Sequence, residues 1–161
     1  MDAWKDFCVG ELGAAAALAG LLFVSVSVNQ ARILELGRMA DRALEAVVML
    51  FLVICVASLV LVPGQPARWL GIETVVAFAV SLFVMVKLEH GYVSGLEAQY
   101  LPQTWQVVWL NRASVVLIGL AGAVLAWRND PVGLYFLAPG VILSFYAVGA
   151  NAWVLLVEIN R

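Results

Sequence analysis

The stretch that decides the fold is residues 139–161, PGVILSFYAVGANAWVLLVEINR. It is apolar over about 20 residues, the length that an α-helix needs to cross the hydrocarbon core of a bilayer. One face of this helix carries mostly small and polar side chains. They lie at alternating steps of four and three residues and therefore share one stripe of an α-helix: Gly140, Ser144, Ala147, Asn151, Val154 and Glu158. A carboxamide exposed to lipid is costly. We therefore expect this stripe to face other protein rather than lipid.

The composition of the whole chain indicates a membrane protein. Of the 161 residues, 64% are hydrophobic and only 12% are charged, whereas soluble domains carry about 25% charged residues. A soluble domain of this size could not bury so much apolar surface. The apolar residues also form long blocks between short polar breaks, a pattern typical of transmembrane helices. The sequence predicts one all-α domain over residues 1–161, an integral membrane bundle.

The apolar blocks predict five transmembrane helices, over about residues 9–28, 43–62, 70–88, 108–127 and 139–159. Residues 29–42 form a loop that could include a short interfacial helix, and residues 91–109 read as a surface connection. The last apolar block, 132–159, is too long for one straight span. Either the helix kinks at Pro139, or the span begins there. The second reading is favoured because proline suits the first turn of a helix.

The basic residues predict the orientation of the bundle. Five spans place the two termini on opposite sides of the membrane. Six of the nine Lys and Arg fall on the side of the C-terminus, namely Arg32, Arg38, Arg42, Lys87, Arg112 and Arg161. Because cytoplasmic loops carry the excess of basic residues, we expect the N-terminus outside and the C-terminus inside.

Small residues mark the faces where helices could approach closely. Gly13, Ala17 and Gly20 share one face of the first span, and Gly140 opens the stripe of the last one. Such faces allow close contact between helices in a membrane, within one chain or between two copies. Since small-residue faces also occur on the fourth and fifth spans, we expect a homo-oligomer as well as contact with the lipid bilayer.

Two groups of polar residues are candidates for a site. Glu11 and Glu73 lie near the outer ends of two spans. If they are adjacent, their carboxylates repel, and one stays protonated or binds a cation; otherwise each caps its helix or meets Arg68. Asn29, Asn151 and Glu158 lie near the inner ends. They form either a network that locks the helices or a polar vestibule. With Ser144, the predicted site residues are Glu11, Asn29, Glu73, Ser144, Asn151 and Glu158.

Other charged residues have simpler readings. Glu45 lies in the first turn of the second predicted span, where Arg42, three residues earlier, is the expected partner. Glu89 and His90 read as a solvated pair at the interface.

Several functions are disfavoured by what the sequence lacks. The net charge is −2 and there is no basic run, so we expect no nucleic-acid partner. The single histidine and the two cysteines have no ligand spacing, so we expect no metal and no cofactor. There is no nucleophile or phosphate-binding motif, and we expect no enzymatic activity.

Three stretches carry a resemblance to a known family: ELGAAAALAGLLFVSVSVN at 11–29, LVPGQP at 61–66 followed by LGIE, and APGVILSFYAVGANAWVLLVEINR at 138–161. The chain resembles a family of small bacterial, mostly actinobacterial, membrane proteins, some of which are labelled modulators of an FtsH-type membrane protease. The resemblance implies about five spans in the bacterial cytoplasmic (inner) membrane. It also implies characteristic polar positions at Glu11, Asn29, Glu73, Asn151 and Glu158.

Two functions follow as expectations. In the first, the bundle or its oligomer offers a path or site for an ion or small solute, like a channel or transporter. That function predicts a water-accessible route from Glu11 and Glu73 to Asn151 and Glu158. In the second, the chain is an accessory or regulatory subunit of another membrane protein, such as a membrane protease. It predicts a dry, packed centre and an exposed apolar groove. The path is preferred because Ser144 shares the stripe of Asn151 and Glu158.

Overall fold

The computed structural model describes residues 4–35, 38–94 and 101–153. The helices in this part of the chain are α1 (Lys5–Val28), α2 (Gln30–Glu35), α3 (Arg38–Val60), α4 (Ala67–Val93), α5 (Leu101–Arg128) and α6 (Leu134–Trp153), with a 3-10 turn at Pro131–Gly133. All of the α-helices except α2 are long and apolar enough to cross a membrane. The prediction of an all-α protein with five such helices is confirmed.

α3 is the central helix of the bundle. It packs against α1, α4 and α6, while α5 packs between α4 and α6. The side chains of Met49, Leu50 and Val53 are fully buried because α3 has neighbours on several sides. α1 has the most exposed surface of the five long helices, since it lies at one side of the bundle.

α4 and α5 approach so closely that glycine is required between them. A Cβ atom on Gly71 would lie 2.6 Å from the carbonyl oxygen of Gly122 and 2.8 Å from Cα of Ala126. No side chain fits in that space, so the two backbones are in direct contact. This contact fixes the register of α4 on α5.

Two turns lie together at one end of the bundle, which we call the turn end. After α3, the residues PGQP prevent the helix from continuing, and Gly64 has a positive φ of 71°. After α5, Asp130 Oδ1 accepts a hydrogen bond of 2.8 Å from the backbone N–H of Val132. Asn129 Oδ1 accepts one of 2.9 Å from the N–H of Arg68 and so joins the two turns.

Several predicted boundaries differ from the structure by four residues or more, at the starts of α1, α3, α5 and α6 and at the end of α4. The last helix begins at Leu134 rather than at Pro139, which lies inside it. Pro139 has no N–H to donate within the helix. Burial of Leu134 and Leu137 nevertheless stabilises the first turn of α6, which precedes this proline.

The predicted surface connection at 91–109 is also largely helical, because α4 continues to Val93 and α5 begins at Leu101. Burial of Tyr92 and Val108 explains both extensions. The expected short helix in the loop at 29–42 is present as α2.

Candidate functional site

Polar side chains from four helices meet at the end of the bundle opposite the turns, which we call the cluster end. There α3 begins, α4 and α6 come to their ends, and the first half of α5 passes between α4 and α6. We call this group the buried polar cluster; its members are Arg42, Glu45, Glu89, Tyr92, Asn111, Arg112 and Asn151. Because the helices alternate in direction, residues far apart in sequence lie side by side.

Glu45 is the most enclosed acidic residue of the cluster. Its side chain is 1% exposed, and Oε2 accepts a hydrogen bond of 2.9 Å from the hydroxyl of Tyr92. The carboxamide of Asn111 lies within interaction range of the same carboxylate. Oε1 has no hydrogen-bond partner in the described residues. The prediction that Arg42 is the partner of Glu45 is therefore wrong. The hydrogen-bond donor to Glu45 is Tyr92, which belongs to another helix.

Glu89 forms an ion pair with Arg112 rather than facing water. Arg112 Nε donates a hydrogen bond of 2.9 Å to Glu89 Oε2, and Nη2 donates to the same oxygen. Glu89 is 3% exposed, whereas the Arg112 side chain is 30% exposed. The expectation of a solvated interfacial residue is wrong here because α5 covers the end of α4. The second oxygen, Oε1, has no partner in the described part of the chain.

Arg42 connects α3 to α6. Its Nη2 atom donates a long hydrogen bond of 3.5 Å to Oδ1 of Asn151. Its guanidinium carbon lies 6.0 Å from the ring centroid of Tyr92, in the range of a cation–π contact. Arg42 thus supplies positive charge beside the Glu45–Tyr92 pair while its hydrogen bond goes to a neutral side chain.

Unpaired polar atoms are concentrated in this cluster. Among the described residues, the buried side-chain atoms without a partner are Glu45 Oε1, Gln65 Oε1, Glu89 Oε1, Asn111 Nδ2 and Oδ1, and Asn151 Nδ2. All of them except the Gln65 atom belong to the cluster. Each unpaired buried group costs about 1–3 kcal/mol, so native proteins contain few of them. Their concentration in one place is the strongest sign of a binding site in the part of the chain that the structure describes.

The stripe of α6 faces the interior as predicted. Gly140, Ser144, Ala147 and Asn151 are all buried, which confirms that this face contacts protein. Of the two described site residues predicted on this stripe, Asn151 belongs to the cluster and Ser144 does not. Ser144 donates a hydrogen bond of 3.0 Å to the carbonyl of Gly140 in its own helix, and Glu158 lies outside the described residues.

The other predicted site residues lie elsewhere. Asn29 is buried, and its Nδ2 donates a hydrogen bond of 3.2 Å to the carbonyl of Ser25. Glu73 is exposed and accepts a hydrogen bond from Gln65. Glu11 is half-buried on α1. The proposed pairing of Glu11 with Glu73 stays a prediction.

The predicted packing residues divide into two sets. A Cβ atom on Gly140 would lie 2.9 Å from Cγ1 of Ile118, so this glycine allows α6 to approach α5. Around Gly13 and Gly20 nothing in the described chain lies within 4 Å of a Cβ position, and Ala17 is exposed. The small-residue face of α1 therefore makes no close contact with the described part of its own chain.

The middle of the bundle is apolar and tightly packed. The hydroxyl groups buried along the helices bond to carbonyls of their own helices: Thr74 to Leu70 at 2.8 Å and Ser114 to Asn111 at 2.7 Å. Between them lie buried apolar side chains, among them Met49, Leu50, Val53, Ile118, Ala121 and Val148.

An apolar groove runs along the outside of α3 and α4. It has a volume of about 830 Å³, and its walls include Phe51 and Cys55 of α3 and Val76 and Val80 of α4. More than half of the Phe51 side chain is exposed. The groove would face the hydrocarbon core if the helices cross a membrane.

The described residues contain no group of three or more His, Cys, Asp or Glu side chains that could hold a metal ion. Comparison of the chain with protein-family models, with curated proteins and with solved structures found no match.

Proposed function

We propose that this protein is a non-enzymatic, multi-pass membrane protein that binds an ion or small polar solute in the buried polar cluster. The observation that carries this function is the set of unpaired atoms on Glu45, Glu89, Asn111 and Asn151. Polar and ionisable groups inside a membrane bundle are expensive and commonly mark a ligand or ion site. A ligand that bonds to these atoms would offset their cost.

The packing of the helices favours a local site over a path through the chain. The side chains between the cluster end and the turn end are apolar and buried around Leu50, Val53 and Ala121. Arg112 and Arg42 are partly exposed at the cluster end. A solute would therefore enter from that end and leave by it, without a route to Glu11 and Glu73.

The proposed orientation places the cluster end in the cytoplasmic half of the bilayer, since the predicted basic excess lies on that side. In keeping with the family resemblance, the proposed location is the bacterial cytoplasmic membrane. We also propose that a second copy of the chain packs on Gly13, Ala17 and Gly20. In support, this smooth face is exposed, and small residues let transmembrane helices approach closely.

Ligand-induced stabilisation of the purified protein in detergent tests the proposed site. A panel of inorganic cations, inorganic anions, amines and neutral polar solutes is added, and thermal unfolding is followed. Binding to the folded state alone raises the unfolding temperature. We expect at least one panel member to stabilise wild type and Glu73→Gln but not Glu45→Gln. A panel without any stabilising member, or equal shifts in all three proteins, would contradict the proposal.

The apolar groove supports a second candidate function, that of an accessory subunit which binds another membrane protein. Photo-crosslinking from position 51 in native membranes tests it, with a crosslinker at exposed Ile142 as the matched control. A protein adduct with a membrane protease subunit from position 51 alone would support this function. Adducts with lipid only, or the same adducts from both positions, would argue against it.

A further inference from the structure

We infer that the helix bundle crosses the lipid bilayer at a tilt, with the lipid interfaces meeting α6 and α1 about 9 Å nearer the cluster end than they meet α4 and α5. This inference rests on the proposed membrane location and specifies the surface that meets the lipid. It is carried by exposed Trp, Tyr and Lys side chains, the types that lie at membrane interfaces. Such side chains, together with helix packing, set the tilt of membrane helices.

Three helices carry these side chains, which we call anchors, at one common spacing. The anchors of each helix are exposed and 18 residues apart: Trp69 and Lys87 on α4, Trp109 and Trp127 on α5, and Tyr135 and Trp153 on α6. At about 1.5 Å per residue, this spacing is about 27 Å along the helix axis, close to the roughly 30 Å thickness of a hydrocarbon core. The anchors therefore mark two girdles, one at the turn end and one at the cluster end.

The register of α4 on α5 places their anchors level with each other. A Cβ atom on Gly71 would lie 2.6 Å from the carbonyl oxygen of Gly122 and 2.8 Å from Cα of Ala126, so Gly71 faces the middle of this turn of α5. Because the two helices are antiparallel, Trp69 is then about level with Trp127. Since the anchor spacings are equal, the anchors of α4 and α5 at the cluster end are level as well.

The anchors of α6 are displaced from those of α5 toward the cluster end. A Cβ atom on Gly133 would lie 2.7 Å from the carbonyl oxygen of Ala121 and 2.9 Å from the nitrogen of Leu125. Tyr135, two residues further along α6, is therefore about level with Ala121. Trp127 lies six residues beyond Ala121, which is about 9 Å nearer the turn end. The equal spacing of the anchors repeats this stagger at the cluster end.

The equal stagger at both ends makes the girdles two parallel planes that cross the bundle obliquely. The two interfaces of a bilayer are also parallel planes, so a tilted bundle places all six anchors at an interface. Two neighbouring helices are together about 20 Å wide, and a stagger of about 9 Å over this width corresponds to a tilt of about 25°, within the range found for membrane helices.

The start of α1 favours the tilted bundle over an upright one. The rings of Trp4 and Tyr135 are in contact, with centroids 5.0 Å apart, so the exposed residues Lys5 and Asp6 lie near the depth of Tyr135. In an upright bundle whose interface lies at the anchors of α4 and α5, these two charged side chains would lie several ångströms inside the hydrocarbon. The tilt brings them to the interface, where charge is tolerated.

Tyr146 distinguishes the two orientations. It is exposed and lies seven residues before the last anchor of α6, so the tilt places it about 10 Å inside the cluster-end girdle. In an upright bundle it would be about level with Trp109, because Gly140 packs between Ser114 and Ile118 of α5. The tilt thus leaves one neutral hydroxyl in the hydrocarbon, which costs less than two charges there.

The tilt also gives the buried polar cluster an entrance. Asn151 lies two residues before Trp153, about 3 Å inside the cluster-end girdle, whereas Glu89 lies two residues after Lys87, about 3 Å outside it. Lipid therefore covers the α6 side of the cluster, and the α4 side lies among the headgroups. A solute would reach the proposed site from α4 and α5, where Arg112 is partly exposed.

Hydroxyl-radical footprinting of wild type in liposomes tests the tilt, because tyrosine is oxidised where water reaches it. Mass spectrometry locates the oxidised residues, and each rate is divided by that of the same residue in the protein unfolded by denaturant. We expect Tyr135 to be oxidised several-fold faster than Tyr146, with buried Tyr92 as the reference for full protection. Faster oxidation of Tyr146, or equal rates at the two positions, would overturn the inference.

Quenching of tryptophan fluorescence by brominated lipids measures the depth independently. The variants Tyr135→Trp and Tyr146→Trp are made in a background in which the six native tryptophans are replaced by Phe, and circular dichroism checks their helix content. Bromine near the headgroups should quench position 135 more strongly, and bromine near the ends of the acyl chains should quench position 146 more strongly. The reverse order would overturn the tilt and leave the membrane location standing. Protein that stays outside the liposomes, without quenching at either position, would overturn both.

Discussion

Tyr92 of α4 donates its hydroxyl hydrogen to Oε2 of Glu45 of α3 across 2.9 Å, and both side chains are almost completely buried. Their positions are 47 residues apart in the sequence. The hydrogen bond joins the start of α3 to the end of α4 at the cluster end. It also leaves the second carboxylate oxygen of Glu45 free for a ligand.

Removing this hydroxyl should destabilise the protein. We expect Tyr92→Phe to lower the free energy of unfolding by about 1–3 kcal/mol, because it leaves a second oxygen of a buried carboxylate without a donor. Equilibrium unfolding in mixed detergent micelles measures this difference. The matched control is Tyr146→Phe, since Tyr146 is exposed and should tolerate the change. Equal stability of the two variants would contradict the assigned role of Tyr92.

The ion pair between Glu89 and Arg112 should show strong coupling in a double-mutant cycle. Arg112→Met leaves the Glu89 carboxylate buried and unpaired, which for a fully buried pair costs about 3–5 kcal/mol. The loss should be somewhat smaller here, because the Arg112 side chain is 30% exposed. The double variant Glu89→Met, Arg112→Met should be more stable than Arg112→Met alone. Additive losses in the two single variants would show that the pair is not coupled.

Contact between α4 and α5 should depend on the absence of a side chain at Gly71. A Cβ atom there would meet backbone atoms of Gly122 and Ala126 at 2.6 Å and 2.8 Å. We expect Gly71→Ala to lower the free energy of unfolding by about 1–3 kcal/mol through overpacking. Gly10→Ala is the control, because nothing lies within 4 Å of its Cβ position. If Gly71→Ala is as stable as Gly10→Ala, the two helices are not in direct backbone contact.

The face of α1 should control self-association without affecting the fold of the single chain. We expect Gly20→Leu to shift the protein from dimer to monomer, since the larger side chain prevents a second helix from approaching. Light scattering of the purified protein in detergent measures the mass. Ala150→Leu, at an exposed position on α6, is the control and should leave the mass unchanged. A monomeric wild type, or a dimeric Gly20→Leu variant, would contradict the proposed interface.

The helices and one buried face could be predicted from the sequence because both follow from local patterns. Long apolar blocks indicate the five helices, and steps of four and three residues indicate the stripe of Ser144 and Asn151. The buried polar cluster could not be predicted in this way, because its contacts are distant in sequence: Arg42 and Asn151 are 109 positions apart. The local rule for helices instead pointed to Arg42 as the partner of Glu45.

The burial of Glu89 could not be predicted for a similar reason. It stands beside Lys87 and His90, so it resembled the end of a span that enters water. In the structure α5 is already helical from Leu101 and covers this end of α4. One signal was available: Asn111 and Arg112 interrupt an otherwise apolar block and needed a partner inside the bundle.

The most direct test of a closed binding site is ion flux in liposomes that contain the purified protein. Efflux of Na⁺ and K⁺ is followed for wild type, Glu45→Gln and Asn151→Leu beside protein-free liposomes. Since the middle of the bundle is apolar and packed, we predict that wild type conducts no faster than protein-free liposomes. Efflux well above that background, reduced in both variants, would contradict a closed site and establish a polar path across the membrane.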